Sequence, residues 1–277
     1  MPLNDILVHA DSSAKSEKRF KLSLKLAQRH GATLFCLYTQ VMPLSLGLSN
    51  NKEKRHRLHK NAAQEIFANY QKLADKAGVK LVTEISKLPN SEDDVTAYLI
   101  RATQHMDLAI ISQYHHKTAA GILPNDLAER LVLESGRPVL ILPYAGEFKE
   151  VGKRVLIAWN TGRESVRAVN DAIPLIQEAD RVNVIAINPN KGKKRHGETP
   201  AEEIAQHLVR HGIKATSEHL TTNDVDPANM LLSCAADESA DLLVMGAYGH
   251  HRLQELILGG VTRDMLKNMA VPVLMSH

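Results

Sequence analysis

"DLLVMGAYGHHRLQELILGGVTRDMLKNMAVPVLMSH" (241–277) aligns without a gap to "DLAIISQYHHKTAAGILPNDLAERLVLESGRPVLILP" (107–143). Identities are few: Asp107/Asp241, Leu108/Leu242, Tyr114/Tyr248, His116/His250 and Pro-Val-Leu at 138–140 and 272–274. The apolar pattern agrees nearly throughout, and that pattern carries more of the fold than identity does. Working outward, "DILVHADSSAKSEKRF" (5–20) matches "RVLIAWNTGRESVRAV" (154–169), with the join near "YAGEFKEVGK" (144–153). The chain is a tandem duplication.

Each copy alternates strands with helices. "DLLVM" (241–245) and "VPVLMS" (271–276) are nearly continuous apolar runs, as strands buried on both faces of a parallel sheet require. "RVLIAW" (154–159) and "RVNVIAIN" (181–188) read as strands, and "IKATSEHL" (213–220) as a weaker one. Helical spacing links Val166, Val169, Ile173 and Ile176, where Pro174 predicts a kink or an early end. Thr199-Pro200-Ala201-Glu202 is a capping box opening another helix, which Gly212 stops, and Asp226-Pro227 starts the next. This order predicts an α/β protein of two tandem doubly wound, Rossmann-like parallel-sheet domains, 1–147 and 151–277.

Bulk properties narrow the function. The 277 residues are 44% hydrophobic and 23% charged, enough for two real cores. A formal charge of +3, from 34 basic and 31 acidic residues, gives no field for nucleic acid or an anionic membrane. Aromatics at 4% are too few for a base-stacking surface. Cys36 and Cys234 are the only cysteines, so neither a disulfide framework nor a cysteine metal site is expected. No signal-peptide pattern and no apolar run long enough to span a bilayer is present, and the expectation is a soluble cytoplasmic protein.

Gly246 and Gly249 follow a strand, and Gly259-Gly260 precede a helix beginning near Val261. In open parallel sheets ligands settle outside the carboxyl ends of the strands, where the order reverses. Glycines there let backbone amides approach an anion, and a helix N-terminus adds its dipole. The same residues also serve as turns leaving a strand and capping helices, so spacing alone leaves both readings open. The arrangement is neither the dinucleotide fingerprint nor the P-loop.

Gly246-x2-Gly249-x9-Gly259, followed by a small residue, Val261 and Thr262, resembles the ATP-binding motif of the universal stress protein family. The resemblance covers essentially the whole chain and is strongest over the last forty residues. It implies that Gly246, Gly249 and Gly259 shape a loop around ribose and phosphates, that Gly260 and Val261 give backbone amides, and that Thr262 gives a hydroxyl. It also implies that Asn160, where the family tends to carry Asp, reads the adenine edge, and that Ile187 packs on the base. The family usually has Ser or Thr at the place of Gly260, so one hydroxyl donor is missing. Domains of this family associate through their last strands, which implies an internal pseudo-dimer in which 138–143 meets 272–277.

The first copy departs from the motif. It keeps Asp11 opposite Asn160, but its loop reads Ser112-Gln-Tyr-His115, with Asn125-Asp126 in place of Gly259-Gly260. Side chains would fill the phosphate space and Asp126 would repel it, so this copy is expected not to bind ATP in the family manner.

Other features rank lower. Adjacent His115-His116 and His250-His251 lack carboxylate or cysteine partners at ligand spacing, so no metal site is expected. "NKEKRHRLHK" (51–60) and "KGKKRHG" (191–197) read as solvated faces, and 37–50 as a loop packed on its own domain. Asp264 and Glu255 read as surface carboxylates, and no nucleophile–base pairing or glycine-nested serine is present. The expectation is an ATP-binding stress-response or signalling protein acting through nucleotide-linked conformational change, with ADP, AMP and Mg²⁺ as variants of the ligand. Its partners would be the nucleotide and an unidentified protein, not nucleic acid or membrane, and a homodimer is compatible with it. The alternatives are a slow ATPase or adenylyl-group enzyme using the same pocket, and an interaction scaffold without nucleotide.

Overall fold

The computed structural model describes residues 2–41, 52–87, 92–115, 123–187, 200–222, 226–249 and 260–277. The chain divides into two compact units, Met1–Val139 and Leu140–His277. The first carries β1 (Asp5–Ala10), α1 (Ser16–His30), β2 (Thr33–Tyr38), α2 (Lys52–Ala77), β3 (Leu81–Ile85), α3 (Glu92–Thr103), β4 (Leu108–Ser112) and α4 (Leu127–Glu134). β5 (Val139–Leu142) begins on its last residue. The second carries β6 (Arg154–Ala158), α5 (Arg163–Ile176), β7 (Arg181–Ile187), α6 (Pro200–Arg210), β8 (Ala215–Leu220), α7 (Pro227–Asp237), β9 (Leu242–Gly246), α8 (Gly260–Asn268) and β10 (Val273–Ser276).

Strand order is β3-β2-β1-β4 in the first unit and β8-β7-β6-β9-β10 in the second. The pairings are parallel, with Ala158 opposite both Ile185 and Met245 in the second unit. The α/β expectation from the alternating runs is met. Parallel strands need crossover connections, and the intervening helices supply them. The central strands are buried along nearly their whole length, whereas β3 and β8, at the sheet ends of their units, show mixed exposure.

The aligned Asp107/Asp241 pair does the same work in both units. Asp107 Oδ2 accepts from Asn4 N at 2.7 Å and Asp5 N at 3.1 Å. Asp241 accepts from Gly152 N at 2.6 Å, Lys153 N at 3.0 Å and Arg154 N at 2.9 Å. Each carboxylate therefore pins the start of the first strand of its own unit, satisfying amides that precede the ladder.

Local signals act as their chemistry dictates. Asp226 Oδ2 caps α7 by accepting from Ala228 N at 2.8 Å and Asn229 N at 3.3 Å, with Pro227 at the first helical position. Gly212, at φ 79°, follows α6 in the left-handed region. Pro174 does not end α5 early, because α5 runs on to Ile176. The proline falls in the last turn, where it removes one hydrogen bond and leaves no long helix beyond it to kink. The proposed cap at Thr199 lies outside the described residues. "NKEKRHRLHK" opens α2, where Glu53, Lys54, His56 and Arg57 are exposed and His59 is buried; 191–197 and most of 37–50 lie outside the described residues. No described helix is long and apolar enough to cross a membrane.

Candidate functional site

The sheet order of the second unit reverses between β6 and β9, where crossovers leave in opposite directions and a crevice opens at the strand ends. A cavity of about 280 Å³ occupies this place, near the lower end of small-molecule sites. Of the sequence-derived residues, Asn160, Ile187, Gly246, Gly249, Gly260, Val261 and Thr262 line it together. Gly259 lies outside the described residues, as do His116, His250, His251 and Glu255.

The cavity has two chemically distinct ends. Ile185 and Ile187 from β7, with Pro227 and Leu231 from α7, make an apolar end. The backbone of Gly246 and Gly249 and the first turn of α8, Gly260 to Thr262, make a polar one. α8 starts at Gly260, so its unpaired first-turn amides and positive dipole end face this space. Thr262 is buried and its Oγ1 accepts from Tyr248 N at 3.3 Å. This bond ties the β9 loop to α8 and leaves the hydroxyl proton free to donate. Tyr248 takes φ 58°, a left-handed conformation that turns the loop back.

The glycines have a packing role that spacing alone did not separate from ligand binding. A Cβ on Gly246 would lie 2.4 Å from Ser165 N and 2.5 Å from Glu164 C. A Cβ on Gly249 would lie 3.0 Å from Glu164 Oε2. Both glycines turn their missing side chains toward the first turn of α5, which lets their backbone border the cavity. Asn160 also has a local duty: its Oδ1 accepts from Gly162 N at 2.9 Å, closing an Asx turn before α5. Asp11 closes the same turn in the first unit, accepting from Ser13 N at 2.7 Å.

Sequence reasoning missed Trp159, Ser165 and Leu231 as cavity-lining residues. Trp159 is the only tryptophan of the chain, and its buried indole N–H has no hydrogen-bond partner among the described residues. Its adjacency to Asn160 at the end of a strand was the available signal.

The corresponding strand ends of the first unit carry a buried ion pair. In the aligned positions, Ala158, Asn160, Ala168 and Gly246 are replaced by His9, Asp11, Arg19 and Ser112. Arg19 is 1% exposed; its Nε donates to His9 O at 2.6 Å, its Nη2 to Asp11 Oδ2 at 2.9 Å, and its Nη1 to Ser112 Oγ. Burial opposes the Asp11 charge, but Arg19, His9 and Ser13 outweigh it and hold its pKa at about 2. Burial, with Arg19 beside it, lowers His9 to about 4. His9 Nε2 donates to Thr39 O at 2.8 Å in its neutral form. Among the described residues, no three His, Cys, Asp or Glu side chains converge as metal ligands, and Cys36 and Cys234 are free thiols.

With this geometry in hand, comparison with known proteins is informative. Residues 153–277, most of the second unit, match the universal stress protein family. A universal stress protein of Synechocystis, Slr1230, is 22% identical over 98% of this chain and 99% of its own length. Universal stress protein MJ0531 of Methanocaldococcus jannaschii is 27% identical over 44% of this chain and 80% of its own. Among solved structures, a universal stress protein from Archaeoglobus fulgidus superposes with a TM-score of 0.76 at 17% identity, over 99% of this chain and 96% of that one. That likeness is one of fold. Together with the glycine-bordered cavity, these matches show that residues 153–277 form a universal stress protein domain, and the tandem chain as a whole is similar to universal stress proteins.

Proposed function

We propose that the second unit binds an adenine nucleotide, ATP in the first instance, in the cavity between β6, β7, β9, α7 and α8. The observation that carries this reading is the cavity's polarity. An apolar slot between Ile187 and Leu231 suits a base, and it opens onto a backbone-lined end headed by the α8 N-terminus, which suits phosphates. Asn160 keeps its amide N–H groups, and one Oδ1 lone pair, for the adenine edge while it holds its own turn. The amides of Gly246, Gly249, Gly260 and Val261 and the Thr262 hydroxyl serve the ribose and phosphates. Gly259 belongs to the same set by its place in the motif.

The chain uses the nucleotide as a signal in a stress response. Ligand held between the 246–249 loop and the first turn of α8 shifts the population of surfaces offered to a protein partner, by as much as its affinity differs between them. Mg²⁺ accompanies the triphosphate as part of the ligand. The first unit takes no nucleotide in this manner, because Arg19 already occupies Asp11 and Ser112.

Purified protein, denatured and examined by mass spectrometry, is expected to release an adenine nucleotide. The emission of Trp159, unique in the chain and lining the cavity, is expected to change on titration with ATP. Gly249→Val is expected to abolish both. No released nucleotide and no fluorescence or thermal response to millimolar ATP would support the scaffold reading instead. Rapid turnover lost in Thr262→Ala would support an enzyme.

A further inference from the structure

Glu164 is an acidic side chain in the first turn of α5, a placement that ordinarily means a solvated carboxylate favoured by the helix dipole. Here it is 8% exposed. Its Oε2 lies 3.0 Å from where a Cβ on Gly249 would stand and 3.1 Å from where one on Gly162 would stand. Asn160 Nδ2 is 3.8 Å from the same Gly249 position. The carboxylate is therefore wedged against the 246–249 loop, whose glycines border the cavity, and is not itself part of the lining.

Its charge is held in place. Burial works against ionisation, but Arg163, the residue's own backbone N–H and His277 outweigh it, so the pKa lies below the usual carboxylate value. Arg163 Nε donates to Oε1 at 2.8 Å, from a side chain that is 87% exposed. That counter-charge is mostly in water and screened, whereas the carboxylate points inward at the loop.

We propose that Glu164 is a specificity-determining residue, setting a penalty on each uncompensated negative charge of a ligand held across the 246–249 loop. The site thereby favours a nucleotide whose phosphate chain carries few free charges, or one neutralised by a bound divalent cation, over a free polyphosphate. The physical basis is repulsion between like charges on opposite sides of one backbone layer, in a place where water cannot fully screen them. This inference rests on the nucleotide reading above and adds to it which ligand charge state the site accepts.

Isothermal titration of adenosine, AMP, ADP and ATP, in EDTA at low salt, tests it on the wild type and on Glu164→Gln. Glu164→Gln keeps the side-chain shape, and thermal unfolding with Trp159 emission checks its fold. Removing the charge is expected to leave adenosine affinity unchanged, raise AMP affinity about twofold and raise ATP affinity about tenfold, with ADP between. The ATP gain is expected to shrink with Mg²⁺ or in high salt. Arg163→Gln, which removes the exposed counter-charge, is expected to weaken binding in the same order. Equal factors for all four ligands in Glu164→Gln would overturn the proposal, leaving Glu164 a purely structural wedge. Absence of binding by every ligand to both proteins would overturn the nucleotide reading itself, and this inference with it.

Discussion

The carboxyl ends of β1 and β4 and those of β6 and β9 are built on one plan with opposite outcomes. Where the second unit places Ala158, Ala168 and Gly246, the first places His9, Arg19 and Ser112. In the second unit the small residues let α5 begin at Arg163, two positions earlier in register than α1, whose first residue Ser16 aligns with Ser165. The early turn packs closely on Gly246, and Ser165 from that turn borders the cavity. In the first unit Arg19 donates to His9 O, Asp11 and Ser112. One architecture thus carries a cavity in one unit and a buried ion pair in the other, with a few side chains differing between them. A scaffold of parallel strands fixes where a site lies, and the residues at the strand ends decide whether it is open.

The sharpest way to break this comparison is Arg19→Ala, which gives the first unit the residue of the second. It leaves Asp11, 1% exposed, without its cation, and is expected to cost about 3 to 5 kcal/mol. The readout is the thermal transition of the first unit by circular dichroism, with Trp159 emission reporting the second alone. Adding Asp11→Asn is expected to recover part of the loss. A fully stable Arg19→Ala protein would mean the ion pair is dispensable.

Gly246→Ala attacks the other side. A Cβ 2.4 Å from Ser165 N must displace backbone, and the expected cost is about 3 kcal/mol, read from the urea midpoint of Trp159 emission. An unshifted midpoint would show that α5 yields freely there.

Acid separates the units next. His9 has a folded pKa of about 4 against 6.5, so between those values the unfolded chain holds a proton that the folded chain does not. Stability therefore falls as pH drops through that window, at up to about 1.4 kcal/mol per pH unit, or roughly 2 to 3 kcal/mol by pH 4.5. Asp11, at about 2 against 3.8, continues the loss in the same direction below pH 4. The second unit has Ala158 and Asn160 at these places and lacks both contributions. His9→Ala is expected to flatten the dependence of the first unit's melting temperature between pH 7 and 4.5, and an unchanged slope would assign it elsewhere.

The smallest effect sharpens the open site. Among the described residues, the nearest atom to a Cβ on Gly260 is Asp264 Oδ2 at 3.9 Å, which leaves room for a side chain on that side. Gly260→Ser restores a hydroxyl at the head of α8 and is expected to raise ATP affinity by about 1 kcal/mol, measured by calorimetry. No gain would mean that the hydroxyl points away from the phosphates.

Much of the fold was legible because burial on both faces leaves uninterrupted apolar runs such as "DLLVM", and because those runs recur in two aligned halves. Asp226-Pro227 was legible because a cap is a local signal. Arg19 was not: within "AKSEKRF" it sits among solvated charges, and its partners His9, Asp11 and Ser112 meet it only through the sheet. Glu164 was hidden for the same reason, since a charge in a first helical turn reads as surface. The glycine motif pointed to the strand ends where the cavity lies. That Gly246 and Gly249 also make room for α5 depends on a helix packed from elsewhere in the chain, which no spacing rule encodes.

The central claim is that the second unit takes a nucleotide and that the first, whose Asp11 is engaged by Arg19, does not. Calorimetric titration of the nucleotide-stripped chain with Mg·ATP measures this directly. The account predicts one site per chain, lost in Gly249→Val and kept in Asp11→Asn. Two sites per chain, or a single site that survives Gly249→Val and disappears with Asp11→Asn, would contradict it.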